Sequence, residues 1–205
     1  MNSKLKSIII NLVLFAVVVF LAIMVIKSIQ APINFNHEKD LREKQIVQRL
    51  KDIRDAEVQY KQAYNKYTNN FDTLVKFCSD YEIPIVNIIP DPNDTTFTLT
   101  INDTLGYVKV MDSLFKNHEN FNVNDLRYVP FSDNVEFELA DSIIKRSGIS
   151  VPVFEAKASY SVYLKGMDEQ RVRNAIAEQE DIDKYAGLKV GSLEEASTEG
   201  NWEKL

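Results

Sequence analysis

The feature that most constrains this chain is an uninterrupted apolar run near its N-terminus, Ile8–Ile26, which reads IIINLVLFAVVVFLAIMVI. The run has nineteen residues, of which Asn11 is the one polar residue, and it carries no charge. A helix of this length spans about 28 Å, close to the roughly 30 Å hydrocarbon core of a bilayer. Buried helices of soluble proteins are rarely this long and uniform, so the run predicts a membrane-spanning helix.

A cleaved signal peptide is the alternative to a permanent anchor. Signal peptides have a shorter apolar region, of about 7–15 residues, which ends in a small-x-small cleavage site. Here the nearest candidate site, Ile29-Gln30-Ala31, places the bulky Ile29 where a small residue is needed. We therefore expect residues 1–30 to form a cytoplasmic tip and an uncleaved transmembrane signal anchor.

Charges around the apolar run indicate its orientation. Lys4 and Lys6 precede it without any acidic residue, whereas a mixed stretch, HEKDLREK, lies on the other side. Because basic flanks stay in the cytoplasm, we expect a cytoplasmic N-terminus, a single pass through the inner membrane and a periplasmic C-terminal domain. The chain has 30 Asp and Glu against 24 Lys and Arg, which argues against a nucleic-acid partner.

A charged, amphipathic stretch follows. Ala31-Pro32 predicts a kink or an end of the first helix, so residues 31–70 are interpreted as a linker and an amphipathic helix. Glu57 interrupts the apolar face of that helix, either at its rim or as a partner in an inter-subunit salt bridge. The face recurs at steps of four and three and is a candidate interaction surface: Ile46, Leu50, Ile53, Tyr60, Tyr64 and Tyr67.

After residue 70 the pattern changes towards strands. A short helix is expected over Phe71–Ser79 and a strand over Ile83–Ile89. Strict alternation of polar and apolar residues predicts a further strand over Thr96–Ile101. A turn at Asn102–Gly106 then leads to its expected hairpin partner, Tyr107–Met111.

The second half of the chain continues this pattern. Ser147-Gly148 predicts a second hairpin turn, Tyr160–Leu164 a further strand and Asp168–Asp181 a mostly polar helix. We therefore expect an antiparallel, sheet-rich head over residues 71–190, followed by a flexible tail over residues 191–205. The fold class is α+β.

Residues that catalysis or metal binding needs are scarce. The chain has one cysteine, Cys78, two histidines, His37 and His118, and six glycines. A single cysteine excludes an intramolecular disulfide, and the set leaves little for a zinc site or a Ser-His-Asp triad. No phosphate-binding glycine loop or nucleophile elbow occurs. We expect a non-catalytic protein with no catalytic residues, no cofactor and no metal.

A tripeptide recurs in the predicted head more often than composition predicts: Asp, then Ser or Thr, then an aliphatic residue or Thr. The pattern resembles the O-glycosylation signal of Bacteroidota envelope proteins, which implies sugar attachment outside the cytoplasm. Alternatively, these pairs favour turns and helix starts for local hydrogen-bonding reasons. The candidate glycosylation residues are Thr73, Thr95, Thr104, Ser113 and Ser142.

The segment Ile53–Phe77, IRDAEVQYKQAYNKYTNNFDTLVKF, resembles the junction in type IV pilins and type II secretion pseudopilins. There an amphipathic helix with Ala and Tyr ends at Gly- or Asn-Lys-Tyr, and a short Phe-x-x-Leu helix follows. The order of transmembrane helix, amphipathic helix, antiparallel sheet and C-terminal helix is also similar, which implies a pilin-like α+β fold. The chain lacks the Gly-Phe processing site and the apolar-helix glutamate of pilins.

Other segments resemble a family of uncharacterised membrane-anchored envelope proteins of Bacteroidota. An Arg-x-Ala-x-x-x-Tyr-Lys segment is followed by LRYVPF at 126–131, VPVFEAK at 151–157, GLKVGSLEEA at 187–196 and GNWE at 200–203. This resemblance covers most of the chain. It implies a membrane anchor and no known activity.

Together these features predict a single-pass, inner-membrane-anchored periplasmic subunit of an envelope machine, pilin- or pseudopilin-like, with a structural or assembly role. Its expected partners are inner-membrane lipid and other envelope membrane proteins, including further copies of itself. The alternative is a membrane-tethered binding or adaptor domain that recognises a peptide, a glycan or a partner protein. A pocket lined by Tyr107, Tyr128 or Tyr163 would favour that alternative.

Overall fold

The computed structural model describes residues 3–90, 100–116 and 121–203. One long helix, α1 (Ser3–Tyr64), runs from the N-terminus into a folded head of short helices and antiparallel sheets. Its 62 residues extend about 93 Å. The predicted mixture of a long apolar N-terminal helix, further helices and antiparallel sheet is confirmed.

α1 passes through Pro32 without ending, so the helix end and the separate linker predicted as one outcome after the apolar run are wrong. Proline removes one helical hydrogen bond and crowds the carbonyl four residues earlier, which costs about 3 kcal/mol in a helix interior. Long helix-forming sequence continues on both sides of Pro32, and its accumulated hydrogen bonds and packing offset this cost. The apolar run and the amphipathic helix are therefore one element.

The two halves of α1 have different surroundings. Every side chain from Ile9 to Ala31 is exposed, and this stretch is long and apolar enough to cross a membrane. The second half of α1 contacts the head. Lys39 is one of the contacting residues, and its ammonium lies 5.0 Å from the centre of the Tyr160 ring. Between Ile26 and Lys39 the helix rises about 20 Å, so it holds the head away from the apolar stretch.

A short helix, α2 (Phe71–Asp80), follows α1 as predicted. Asn70 caps it, because its side-chain oxygen accepts hydrogen bonds from the backbone N–H groups of Asp72 (2.7 Å) and Thr73 (3.2 Å). One face of α2 is buried in the core: Phe71, Leu74, Phe77 and Cys78.

Two strands, β1 (Glu82–Pro90) and β2 (Thr100–Lys109), form a two-stranded antiparallel sheet. The strand predicted over Ile83–Ile89 is confirmed. The predicted pairing of Thr96–Ile101 with Tyr107–Met111 is wrong, because Ile101 and Tyr107 lie on the same strand, β2. Residues 96–99 of that prediction lie outside the described residues.

The turn predicted at Asn102–Gly106 is also wrong, since these residues continue β2. The pairing changes from Ile85–Gly106 to Val86–Thr104, which leaves Leu105 as an extra residue on β2. An extra residue opposite a continuous strand is a β-bulge, and a glycine inside a strand often marks one. Gly106 therefore lies at a bulge within β2, and the chain does not reverse its direction there.

A short helix, α3 (Val110–Leu114), and a 3₁₀ helix (Val123–Arg127) lead to the main sheet. That sheet is antiparallel, in the order β3-β4-β5. The hairpin turn predicted at Ser147-Gly148 is confirmed, and both residues have positive φ, at 52° and 82°, as a two-residue hairpin turn requires. The strands are β3 (Glu138–Arg146), β4 (Ile149–Ser159) and β5 (Gly187–Gly191).

Two helices lie between β4 and β5. The strand predicted over Tyr160–Leu164 is wrong, because α4 (Tyr160–Tyr163) is a helical turn that Ser159 caps by accepting from the backbone N–H of Ser161 (3.3 Å). Tyrosines three residues apart at its ends are both buried, which suits a helical turn. The predicted polar helix is confirmed as α5 (Glu169–Glu180).

The C-terminal segment, for which the sequence predicts flexibility, is hydrogen-bonded along β5. The backbone N–H of Asn201 donates to the Lys189 carbonyl (3.0 Å), and the Asn201 side-chain oxygen accepts from the Lys189 N–H (3.1 Å). The Gly191 N–H donates to the carbonyl of Glu199 (3.0 Å). The segment therefore covers the outer edge of β5.

Candidate functional site

Most of the predicted interaction face of α1 lies inside the chain's own core. Tyr64 is the exception: it is 49% exposed, and its ring contacts Phe77 and Tyr81 at centroid distances of 5.9 Å. The surface left for a partner on this face is therefore the aromatic cluster around Tyr64. The other five members are buried: Ile46, Leu50, Ile53, Tyr60 and Tyr67.

Glu57 is fully buried, which contradicts both its placement at the rim and an inter-subunit salt bridge. Its Oε2 accepts a hydrogen bond from the backbone N–H of Thr68 (3.1 Å), whereas Oε1 has no partner among the described residues. Burial raises the pKa of Glu57 to about 8. The carboxyl group is therefore mostly protonated at neutral pH, which avoids a buried charge.

Cys78 is fully buried on α2, and burial raises the pKa of its thiol to about 12 from an ordinary 9.0. Because the thiolate is the reactive form, we expect the folded chain to react with a disulfide-exchange reagent up to about 1000-fold more slowly than an unperturbed thiol. The rate is measured at mildly alkaline pH with and without denaturant. Fast labelling of the folded chain would contradict this burial.

The candidate glycosylation residues lie on separate elements. Thr95 lies outside the described residues. The other four are exposed, on α2, β2, α3 and β3 respectively: Thr73, Thr104, Ser113 and Ser142. They do not converge on one site, and each is open to solvent.

The three tyrosines expected around a binding pocket lie apart. Tyr107 is 67% exposed on β2. Tyr163 is fully buried, and its hydroxyl donates to Glu43 (3.3 Å). Tyr128 lines a separate cavity of about 640 Å³ beside α1. Of the three tyrosines, Tyr128 is therefore the one beside a cavity, and neither Tyr107 nor Tyr163 lines that cavity.

A different cavity, of about 550 Å³, lies beside the C-terminal segment. Its lining includes Glu43 on α1, Tyr160 on α4, Tyr185 before β5, and Trp202. Much of the wall comes from the segments at 187–196 and 200–203 that were singled out in the sequence. We refer to this space as the C-terminal cavity.

Close backbone packing shapes the C-terminal cavity. Gly191 has a φ of 76°, and a side chain there would overlap the carbonyl oxygen of Phe154 on β4. A side chain at Gly200 would overlap the Trp202 indole ring. Gly191 therefore requires glycine, because both its φ and the Phe154 backbone exclude a side chain, whereas a side chain at Gly200 would displace the Trp202 ring.

Two buried donors belong to side chains that line the C-terminal cavity. Within the described ranges, neither the Tyr185 hydroxyl nor the Trp202 indole N–H has a hydrogen-bond partner. Burial raises the pKa of Tyr185 to about 12, so its hydroxyl stays neutral and able to donate. Unpaired buried donors are unfavourable by about 1–3 kcal/mol and uncommon in folded proteins, which makes this cavity the candidate site.

The lining of the C-terminal cavity is negatively charged. Of its two lysines, Lys189 is already bound to Glu155 (2.9 Å), which lies outside the lining. Of its five carboxylates, Glu43 is paired with Lys39 (3.4 Å). The lining also includes the carboxylates of Asp183, Glu194, Glu195 and Glu199. Across the part of the chain that the structure describes, no group of three or more His, Cys, Asp or Glu is arranged to hold a metal ion.

No binding site was predicted for these cavity residues, and residues 191–205 were expected to form a flexible tail. One signal was available. Trp202 is the only tryptophan of the chain and sits in an otherwise polar segment, and a large aromatic side chain in such a place usually packs against the domain.

No protein-family model, no curated protein and no solved structure matches this chain. Function is therefore inferred from the residues and their geometry.

Proposed function

We propose that the chain is a single-pass, inner-membrane-anchored structural or assembly subunit of an envelope machine, with its head in the periplasm and no catalytic activity. The observation that carries this proposal is the division of α1: one continuous helix is exposed and apolar from Ile9 to Ile26 and contributes to the core of the head from Ile46 to Tyr60.

The exposed half of α1 needs a covering. Its apolar residues between Ile9 and Ile26 are from 41% exposed, at Val19, to 68%, at Leu12 and Phe15. Soluble proteins rarely expose an apolar patch of more than a few hundred Å². Inner-membrane lipid covers the helix in this proposal, together with the helices of other envelope membrane proteins or of further copies of the chain.

The continuity of α1 supports a role in assembly. Because the anchor and the core of the head share one helix, a contact made by the anchor in the membrane fixes the position of the head above it. This arrangement is similar to the pilin-like order of elements expected from the sequence. Sugar attachment at the exposed Asp-Ser and Asp-Thr sites is part of the proposal for a periplasmic head.

The anchor is tested with two lysines in the apolar run, Val13→Lys with Phe20→Lys. Each lysine near the bilayer centre costs about 2.5–3.5 kcal/mol, so we expect most of this variant to be lost from the alkaline-washed membrane fraction. The matched control places two lysines at exposed apolar positions of α1 beyond the run, Ile33→Lys with Leu41→Lys, and should remain membrane-bound. Equal membrane retention of both variants would overturn the anchor.

Orientation and assembly need separate measurements. In a Cys78→Ser background, a cysteine at exposed Ser113 should react with a membrane-impermeant maleimide from the periplasmic side, whereas one at Ser3 should not. After mild detergent extraction, native mass spectrometry should show other envelope proteins or further copies bound, and the intact mass reports any attached sugar. The reverse labelling pattern, or a lone monomer, would contradict the corresponding part of the proposal.

A further inference from the structure

We propose that the C-terminal cavity binds a Lys or Arg side chain of an extended segment of a partner polypeptide. This goes beyond the proposed structural role, because it assigns a binding site to the head and a charge to its ligand. The charge, the shape of the lining and the unpaired donors each support it.

Charge is the first reason. Asp183, Glu194 and Glu199 line the cavity and are exposed, and none has an ion pair within residues 3–90, 100–116 and 121–203. The lysines on the same lining leave this negative charge largely in place, because Lys189 is bound to Glu155 (2.9 Å). A cationic side chain is therefore attracted to the opening of the cavity.

The remaining lining suits a peptide. Trp202 and Tyr185 offer apolar ring surface, against which the aliphatic stem of Lys or Arg packs. The donors on these two side chains are buried and lack partners in the described part of the molecule, so a rotation of either ring that opened its donor to the cavity would let that donor bind a peptide carbonyl. A cavity of about 550 Å³ accommodates one such side chain with its flanking backbone.

The test uses the full chain in detergent micelles, and its readout is the fluorescence of Trp202, the only tryptophan. The probes are three capped pentapeptides, Ala-Lys-Ala-Lys-Ala and its Gln and Glu equivalents, and a neutral oligosaccharide. We expect the Lys peptide alone to change the emission saturably below about 1 mM. We also expect the effect to weaken strongly near 1 M salt, where charges are screened within about 3 Å.

Variants give the decisive comparison. Asp183→Asn, Glu194→Gln and Glu199→Gln together should weaken binding of the Lys peptide about tenfold. Lys184→Gln, which removes a positive charge from the lining, should strengthen it about twofold. The matched control neutralises three exposed carboxylates elsewhere on the head and should leave the affinity unchanged: Asp80→Asn, Glu82→Gln and Asp112→Asn.

Each other outcome overturns the proposal. Equal binding of the Lys and Gln peptides removes the role of charge, and a response to the oligosaccharide alone assigns the cavity to a sugar. No response to any probe below about 1 mM shows that the cavity is not a peptide site. The membrane and mass measurements on α1 do not depend on the peptide-binding result. If the peptide does not bind, the anchored structural role is unaffected. If the anchor measurements fail, the peptide site is unaffected.

Discussion

Replacing Glu57 with glutamine is expected to remove a fall in stability that the parent chain shows between about pH 4.5 and pH 8. In the folded chain burial raises the pKa of Glu57 to about 8, whereas an ordinary glutamate has 4.5. Over this range the unfolded chain releases the proton that the folded chain keeps, so the free energy of unfolding decreases as pH rises.

The expected size follows from the interval between the two pKa values. A shift of one unit corresponds to about 1.4 kcal/mol, so the parent loses on the order of 5 kcal/mol relative to Glu57→Gln between these pH values. Below about pH 4.5 the contribution of protonated Glu57 to the free energy of unfolding is fully present. Glutamine keeps an oxygen for the backbone N–H of Thr68, which now binds Oε2.

The tyrosine and cysteine neighbours of Glu57 have pKa values above this window. Burial raises the pKa of Tyr60, Tyr67 and Cys78, and Glu57 itself adds to each of these shifts. Asp141 on β3 contributes to the raised pKa of Glu57 through charge repulsion. The pH dependence between these limits is therefore expected to come mainly from Glu57.

Chemical denaturation at a series of pH values measures the effect. Glu82 on β1 is exposed, so Glu82→Gln is the matched control and should follow the parent curve. Parallel curves for the parent and Glu57→Gln would show that Glu57 is ionised in the folded chain, and that the buried carboxyl has a cationic or water partner.

The long helix shows what could be predicted from the sequence. The apolar run and the alternating three-and-four spacing are local patterns, and a helix formed over both of them. The helix end that Pro32 was expected to cause did not form, because the lost hydrogen bond was considered without the long helical segments on either side. Pro32 does lower the stability of the helix locally, but whether the helix continues depends on the stability of the whole helix.

The strand predictions failed where one local pattern fits two structures. Gly106 is typical of a turn and equally of a bulge, and only the pairing partner on β1 distinguishes them. Tyr160–Leu164 alternates like a strand, yet its tyrosines three residues apart also fit the helical turn that forms. Whether such a segment forms a strand, a bulge or a helical turn depends on the neighbouring surface against which its side chains pack.

The sites depend on contacts between distant segments. The face from Ile46 to Tyr67 was recognised as apolar, but whether it meets the chain's own head or a partner is a tertiary question, and the head buries five of its six members. The C-terminal cavity brings Glu43 beside residues about 140 or more positions later, Tyr185 and Trp202. The local spacing of residues along the sequence cannot predict a contact between segments this far apart.

The wall of that cavity supplies the second large effect, because Gly191→Ala is expected to destabilise the chain by about 2–5 kcal/mol. About 1–2 kcal/mol comes from a φ of 76°, which residues with a Cβ avoid. A further 1–3 kcal/mol, approximately, comes from overlap of the new methyl group with the carbonyl oxygen of Phe154, which β4 cannot easily move.

A second glycine separates the two causes. Gly148 has a similar φ of 82° in the β3–β4 turn, with no atom within 4 Å of the position that a Cβ would occupy. Gly148→Ala should therefore cost only the backbone part, about 1–2 kcal/mol, so the difference between the two variants measures the contact between the end of β5 and β4. Equal midpoints in chemical denaturation would mean that the end of β5 gives way at little cost, and that the wall of the C-terminal cavity is not held in place by this packing.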